Sequence, residues 1–241
     1  MKRKSATSRK WREQKDVEAQ MGEGKTNTAT AIVIDKYFAQ AKAIVSPEGH
    51  VFPVEPCKLD KVKLLPLPGE NSAQEPKVIT VPKDYHVVSD VKIFVNYHLY
   101  GVQYVLCDPL MMLEYLNTGL IANGILVIDE AYIQGEARRG MNSLTLLYTW
   151  FAQQMRKRDI ELYLLVQHGR FIDWRFRYIA KRKILCRYSD KTQKVRLLIQ
   201  DLSKGTEKIV SYWAPLYWRF FDTNELPPVP EKMLIKGSEW A

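Results

Sequence analysis

Gly124-Ile125-Leu126-Val127-Ile128 is the most apolar run in the chain, and no polar residue interrupts it. Five apolar residues without alternation predict a strand covered on both faces, as in a parallel sheet with helices on either side. The flanking sequence repeats the theme. Lys92 to Asn96 reads as a strand, with a second short one at Gln103 to Leu106, and Asp108-Pro109 opens a helix through Met112, Leu113 and Tyr115. A helix from Asn142 to Arg158 would bury Leu144, Leu147, Tyr148, Phe151 and Met155. A further strand, Ile160 to Val166, ends in Gln167. Strands alternating with helices argue for an α/β fold.

Thr26 to about Lys42 predicts a helix, with Ala29, Ile32, Val33, Tyr37 and Ala41 at helical spacing and Ile34 and Phe38 widening the face. From about 43 to 91, short apolar runs alternate with Pro, Gly, Asn and Lys, which reads as a β-rich insertion. Past Tyr178 the pattern becomes antiparallel: Lys183 to Cys186, Val195 to Ile199 and Lys208 to Trp213, with a hairpin turn at Ser203-Lys204-Gly205-Thr206. Residues 1–15 form a basic arm, read either as a disordered solvated tail or as a grip on a phosphate backbone. Residues 16–226 form the main domain, and 227–241 an extended tail behind Pro227-Pro228-Val229-Pro230.

The 241 residues carry a net charge of +9, compatible with a polyanionic partner. Cys57, Cys107 and Cys186 are scattered, as are the four histidines, so neither a disulfide framework nor a metal cluster is expected. No run reaches the roughly 18 to 20 apolar residues that cross a bilayer. Met1-Lys2-Arg3-Lys4 has no apolar segment behind it, so no secretory signal is expected.

The chemistry concentrates in two places. Ala19-Gln20-Met21-Gly22-Glu23-Gly24-Lys25-Thr26 fits a relaxed phosphate-loop pattern, with Ala19 in place of the first glycine. Glycines let backbone N–H groups close around phosphate oxygens, and the loop feeds a helix N-terminus whose dipole favours an anion. Gly22, Glu23, Gly24, Lys25, Thr26 and Asn27 are the candidate ATP-binding residues. Lys25 would reach the β- and γ-phosphates, and Thr26 would offer its hydroxyl to Mg²⁺. The strand expected ahead of this loop, Asp16 to Gln20, is poor in apolar residues.

At the end of the apolar run stand Asp129 and Glu130. A carboxylate at the C-terminal end of a buried parallel strand points into the crevice where such sheets bind ligands. Asp129 would hold Mg²⁺ and Glu130 would polarise the attacking water as general base. Gln167, at the end of the next strand, would sense the γ-phosphate.

With these residues in place, the chain resembles the FtsK/HerA class of P-loop ATPases, and more closely the zonular-occludens-toxin-like ATPases of phages and other viruses. Four blocks carry the resemblance: Gly-Glu-Gly-Lys-Thr (22–26), Ile-Phe-Val-Asn-Tyr-His-Leu (93–99), Leu-Val-Ile-Asp-Glu-Ala-Tyr (126–132), and Arg-Lys-Arg-Asp-Ile followed by Leu-Leu-Val-Gln-His (156–168). It implies an ASCE/RecA-like P-loop NTPase fold: a mostly parallel central sheet, with the Gln-tipped strand between the two motif strands. Here that sheet would carry the β-rich insertion and the C-terminal antiparallel hairpin. It also implies a homo-oligomeric ring and an arginine finger acting in trans, which maps to Arg158 with Arg156 beside it. Arg138 and Arg139 compete for that role.

The resemblance implies a motor that moves DNA or drives virion assembly, and the basic charge with the missing membrane span favours a DNA-translocating, genome-packaging motor. Its partners would be double-stranded DNA and a viral capsid or portal-vertex protein, in the host cytoplasm or on the virion. The alternatives are a virion-assembly or extrusion ATPase acting on protein partners, and a nucleic-acid-binding structural protein that no longer hydrolyses ATP. Phe171 to Tyr178 mixes rings and arginines; helical spacing favours core over nucleic-acid stacking there.

Overall fold

The computed structural model describes residues 24–57, 61–65, 77–82, 84–107, 114–115, 118–131, 150, 154–168 and 174–222. Within them the chain is a mixed α/β protein with one parallel and two antiparallel sheets. The elements in order are α1 (Lys25–Phe38), β1 (Ala41–Val45), β2 (Val51–Pro56), β3 (Lys61–Leu64), β4 (Val78–Thr80), β5 (His86–Ser89), β6 (Lys92–Val95), β7 (Val105–Leu106), β8 (Gly124–Ile128), β9 (Ile160–Leu164), α2 (Trp174–Ile179), β10 (Arg182–Ser189), β11 (Lys194–Asp201) and β12 (Thr206–Trp213).

The parallel sheet has the order β7-β6-β8-β9. Its register pairs Lys92 with Gly124 and Gly124 with Ile160, so β6, β8 and β9 begin level, while β8 and β9 run one pair further than β6, to Ile128 and Leu164. Gly124 has to be glycine: a Cβ there would lie 2.4 Å from the Lys92 carbonyl oxygen. Strand alternation sends Ile93, Val95, Ile125 and Val127 into one core, and Phe94, Leu126 and Ile128 into a second on the opposite face. The uninterrupted apolar run is therefore buried on both sides, as its pattern predicts.

Helix α1 covers the first of these faces with Ala29, Val33, Ile34, Tyr37 and Phe38. Each of its large apolar side chains contributes roughly 1.5–3 kcal/mol on leaving water. The helix ends at Phe38, four residues before the expected Lys42, because Ala41–Val45 is drawn into strand pairing instead. Ala41 pairs with Ser89 and Val45 with His86, while Ala43 to Val45 pair with Val51 to Pro53.

This second sheet is antiparallel, in the order β4-β3-β2-β1-β5. The third sheet, β10-β11-β12, is also antiparallel; its strands contain the three runs expected past Tyr178 and extend each of them, and the expected hairpin turn joins β11 to β12. The parallel sheet therefore holds four of the twelve described strands, fewer than a mostly parallel fold implies.

The aromatic-basic stretch departs from the core expectation. Trp174 and Tyr178 on α2 are 61% and 83% exposed. Of the helix expected at Asn142 to Arg158, the described part is helical at Trp150 and Gln154 and tightens to a 3₁₀ turn at Met155–Arg158. The basic arm, the strand at Asp16 to Gln20, the helix start at Asp108-Pro109, Arg138, Arg139 and the tail lie outside the described residues.

Candidate functional site

The site forms where the head of α1 meets the C-terminal ends of the parallel strands. Gly22 and Glu23 lie outside the described residues. Gly24 is the N-cap of α1 at φ 77° and ψ 25°, a left-handed conformation open to glycine. It also sits against the third sheet, since a Cβ there would lie 3.0 Å from Val195 Cγ2. No side chain caps the helix and its first turn holds no acid. The first N–H groups of α1 thus have no intrahelical acceptor and no acid of the helix's own first turn beside them, a setting open to an anion.

Lys25 opens the helix. Thr26, one residue on, donates its hydroxyl to Asp129 Oδ2 at 2.5 Å, joining residues 103 positions apart. Asp129 is 8% exposed. Its Oδ1 accepts the Glu130 N–H at 2.8 Å, and Asn96 bonds both of its main-chain groups, at 2.9 Å to the carbonyl and 2.7 Å from the N–H.

Glu130 turns the chain through φ 51°, and its Oε2 is buried with no hydrogen-bond partner among the described residues. A buried carboxylate oxygen with an open acceptor position is where an ordered water would bond. The turn closes through Ala131 N–H to the Leu165 carbonyl and Leu165 N–H to the Ile128 carbonyl.

One hydroxyl and one carboxylate converge here, and no group of three or more His, Cys, Asp or Glu among the described residues could hold a metal. So sparse an oxygen set does not make a metal cage. It does fit Mg²⁺, which keeps several waters and takes its remaining ligands from substrate phosphates.

The other expected site residues fall elsewhere. The Asn27 side chain faces the third sheet: Tyr212 donates to its Oδ1 at 2.7 Å, and its Nδ2 donates to the Ala214 carbonyl at 3.3 Å. From that position Asn27 can offer a phosphate only its backbone N–H. Gln167 is exposed, three residues past β9, at the same end of the sheet as the two acids. Strand β9 borders β8 on one side, and the strand expected on its other side lies outside the described residues. Arg158 precedes β9 and so lies at the opposite end of the sheet, roughly 17 Å from the acids at about 3.3 Å per residue. It cannot reach the site within its own chain.

Asn96, Tyr97 and Tyr212 are not among the residues that the sequence marks for the site. Tyr97 is buried with its hydroxyl 3.2 Å from Thr30 Oγ1, and burial pushes its pKa upward. Tyr212 lies 3.1 Å from Thr28 Oγ1, which donates to the Gly24 carbonyl at 2.7 Å. Asn96, a polar residue ending an apolar strand, carried a signal; Tyr212 carried none.

No family model matches the chain, and no curated protein sequence matches it. Among solved structures it is similar to the N-terminal domain of zonular occludens toxin from Neisseria meningitidis. The TM-score is 0.50 and the identity 14%, over 84% of this chain and 95% of that one. The likeness is one of fold. No described helix is long and apolar enough to cross a membrane.

Proposed function

We propose that the chain is a P-loop ATPase that binds Mg-ATP at the head of α1 and hydrolyses it with the acids at the end of β8. One observation carries this reading: the Thr26 hydroxyl and the Asp129 carboxylate, from two motifs 103 residues apart, meet at 2.5 Å. The fold likeness to the zonular occludens toxin domain supports it independently.

The roles follow from position. Backbone N–H groups from Gly24 to Asn27 receive phosphate oxygens, and Lys25 adds a positive charge to them. Thr26 and Asp129 hold the cation, which when bound neutralises charge on the transferring phosphoryl group. Glu130, with its open buried oxygen, accepts a proton from a water lined up for attack. Gln167 senses the γ-phosphate from the same end of the sheet. Arg158 serves the neighbouring subunit of a homo-oligomeric ring, since the opposite end of the sheet is closed to its own site.

The work done with this hydrolysis is the translocation of double-stranded DNA into a viral capsid, through a capsid or portal-vertex partner, in the host cytoplasm or on the virion. The net charge of +9 supports a polyanionic substrate. Phosphate release should require Mg²⁺, rise with double-stranded DNA, and fall at least about a hundredfold in Lys25→Ala and Glu130→Gln. Equal turnover in the wild type and both variants rejects the enzyme. DNA-independent turnover by a monomer, measured beside native mass, rejects the motor. Salt-resistant affinity for a virion protein without DNA binding would favour assembly instead, because DNA affinity falls steeply with salt.

A further inference from the structure

Past Val95 the main chain of β6 leaves the parallel ladder, whose last pair is Val95 with Val127. The Asn96 side chain continues the pairing where the backbone departs. Its Nδ2 donates to the Asp129 carbonyl at 2.9 Å and its Oδ1 accepts the Asp129 N–H at 2.7 Å. A primary amide carries the same donor and acceptor as a peptide unit, so it can hold both main-chain groups of one residue. Asn96 is 2% exposed, and water does not compete for either bond. Losing them would leave a buried N–H and a buried carbonyl without partners.

The effect is felt at the carboxylate. With its main chain held, Asp129 directs Oδ2 to the Thr26 hydroxyl and Oδ1 to the Glu130 N–H. Glu130 then takes a left-handed φ of 51°, a conformation that a glutamate keeps only when its surroundings impose it. We propose that Asn96 is a positioning residue of the site, acting through Asp129: it sets the direction of the carboxylate that receives the cation and holds the turn that aims Glu130. Aspartate would set an oxygen against the Asp129 carbonyl, and alanine would supply neither bond. The metal half of this inference rests on the ATPase reading; the backbone half rests on geometry alone.

The test compares the full-length wild type with Asn96→Ala, and with the isosteric Asn96→Asp should the alanine variant fail to fold. The first readout is hydrogen exchange of the peptide spanning Ile128 to Ala131, without nucleotide or metal. The variant should exchange about tenfold faster, as the loss of a buried hydrogen bond implies. The second is binding of a fluorescent ATP analogue titrated with Mg²⁺. Half-saturating Mg²⁺ should rise by about tenfold or more, while binding in a chelator stays at the wild-type level because Gly24 and Lys25 are untouched.

Unchanged exchange overturns the proposal. So does an equal weakening of binding with and without Mg²⁺, which a merely structural role would produce. A wild-type chain that binds no nucleotide under either condition overturns the ATPase reading and the metal half with it, and the exchange result then decides the backbone half.

Discussion

Replacing Gly24 with alanine separates two reasons for the glycine. At φ 77° and ψ 25° an L-residue costs about 1–2 kcal/mol more than in the right-handed region. The added Cβ would also lie 3.0 Å from Val195 Cγ2 and 3.6 Å from Tyr188 Cβ. Val195 is fully buried and β-branched, so it yields little, and overpacking adds about 1 kcal/mol. Gly24→Ala should therefore destabilise the chain by about 2–3 kcal/mol in urea unfolding. In a Val195→Ala background the clash disappears and the backbone strain stays. There the glycine substitution should cost only about 1–2 kcal/mol, a coupling of about 1 kcal/mol. An equal cost in both backgrounds would refute the seating of Gly24 on the third sheet. A cost near zero in the wild-type background would refute the left-handed cap as well.

Two further outcomes are expected. Burial opposes ionisation of Glu161, but hydrogen bonds from Lys36 and Tyr163, with the Arg182 charge, hold its carboxyl below the ordinary 4.5. A depressed folded pKa gives stability above the unfolded value and loses it as pH falls through the folded one. Glu161→Gln should thus unfold earlier than the wild type above pH 4.5 and converge with it in more acidic solution. The difference should stay under about 1 kcal/mol because the pair is half-exposed; a pH-independent gap in the urea midpoints would contradict this. Burial pushes the Cys107 thiol up to about 12. Alkylation needs thiolate, so iodoacetamide in mildly alkaline solution should spare Cys107 while labelling the half-buried Cys57, and should reach both after unfolding. Equal labelling of the folded chain, read by peptide mass spectrometry, would contradict the burial.

What the sequence displays and what it hides divide along physical lines. The β8 run was legible because burial on both faces removes alternation, and Asp129 and Glu130 were legible because they end it. The end of α1 was not. Ala41 and Ile44 are apolar in either a helix or a strand, and pairing with β5, more than forty residues onward, decides between them. Trp174 and Tyr178 have the spacing of a buried face, but spacing does not say whether anything lies over it, and here their rings are exposed. In the sequence Asn27 directly follows the Gly-Glu-Gly-Lys-Thr block, and position alone groups it with those residues. Its side chain answers instead to Tyr212, 185 residues away, a partner that no local pattern announces.

The same long-range contacts explain why the site can exist before any ligand arrives. Helix α1 is fixed to the parallel sheet through the apolar core it shares with Ile125 and Val127, and through the Thr30–Tyr97 hydroxyl pair. Its far end is tied to β9 by Lys36 and Glu161, and its flank to the C-terminal segment by Asp35, which accepts from Tyr217 at 2.9 Å. Its head is seated on the third sheet by Gly24, Asn27 and Thr28. Asp129 is fixed separately, by the β8 ladder and Asn96. The 2.5 Å contact between Thr26 and Asp129 thus lies between two partners each held by other bonds, and it is a product of the fold more than a support for it. On the proposed ATPase reading, a site arranged in that way would exchange the direct contact for a shared cation without moving either backbone, the preorganisation that phosphoryl transfer by positioning and charge requires.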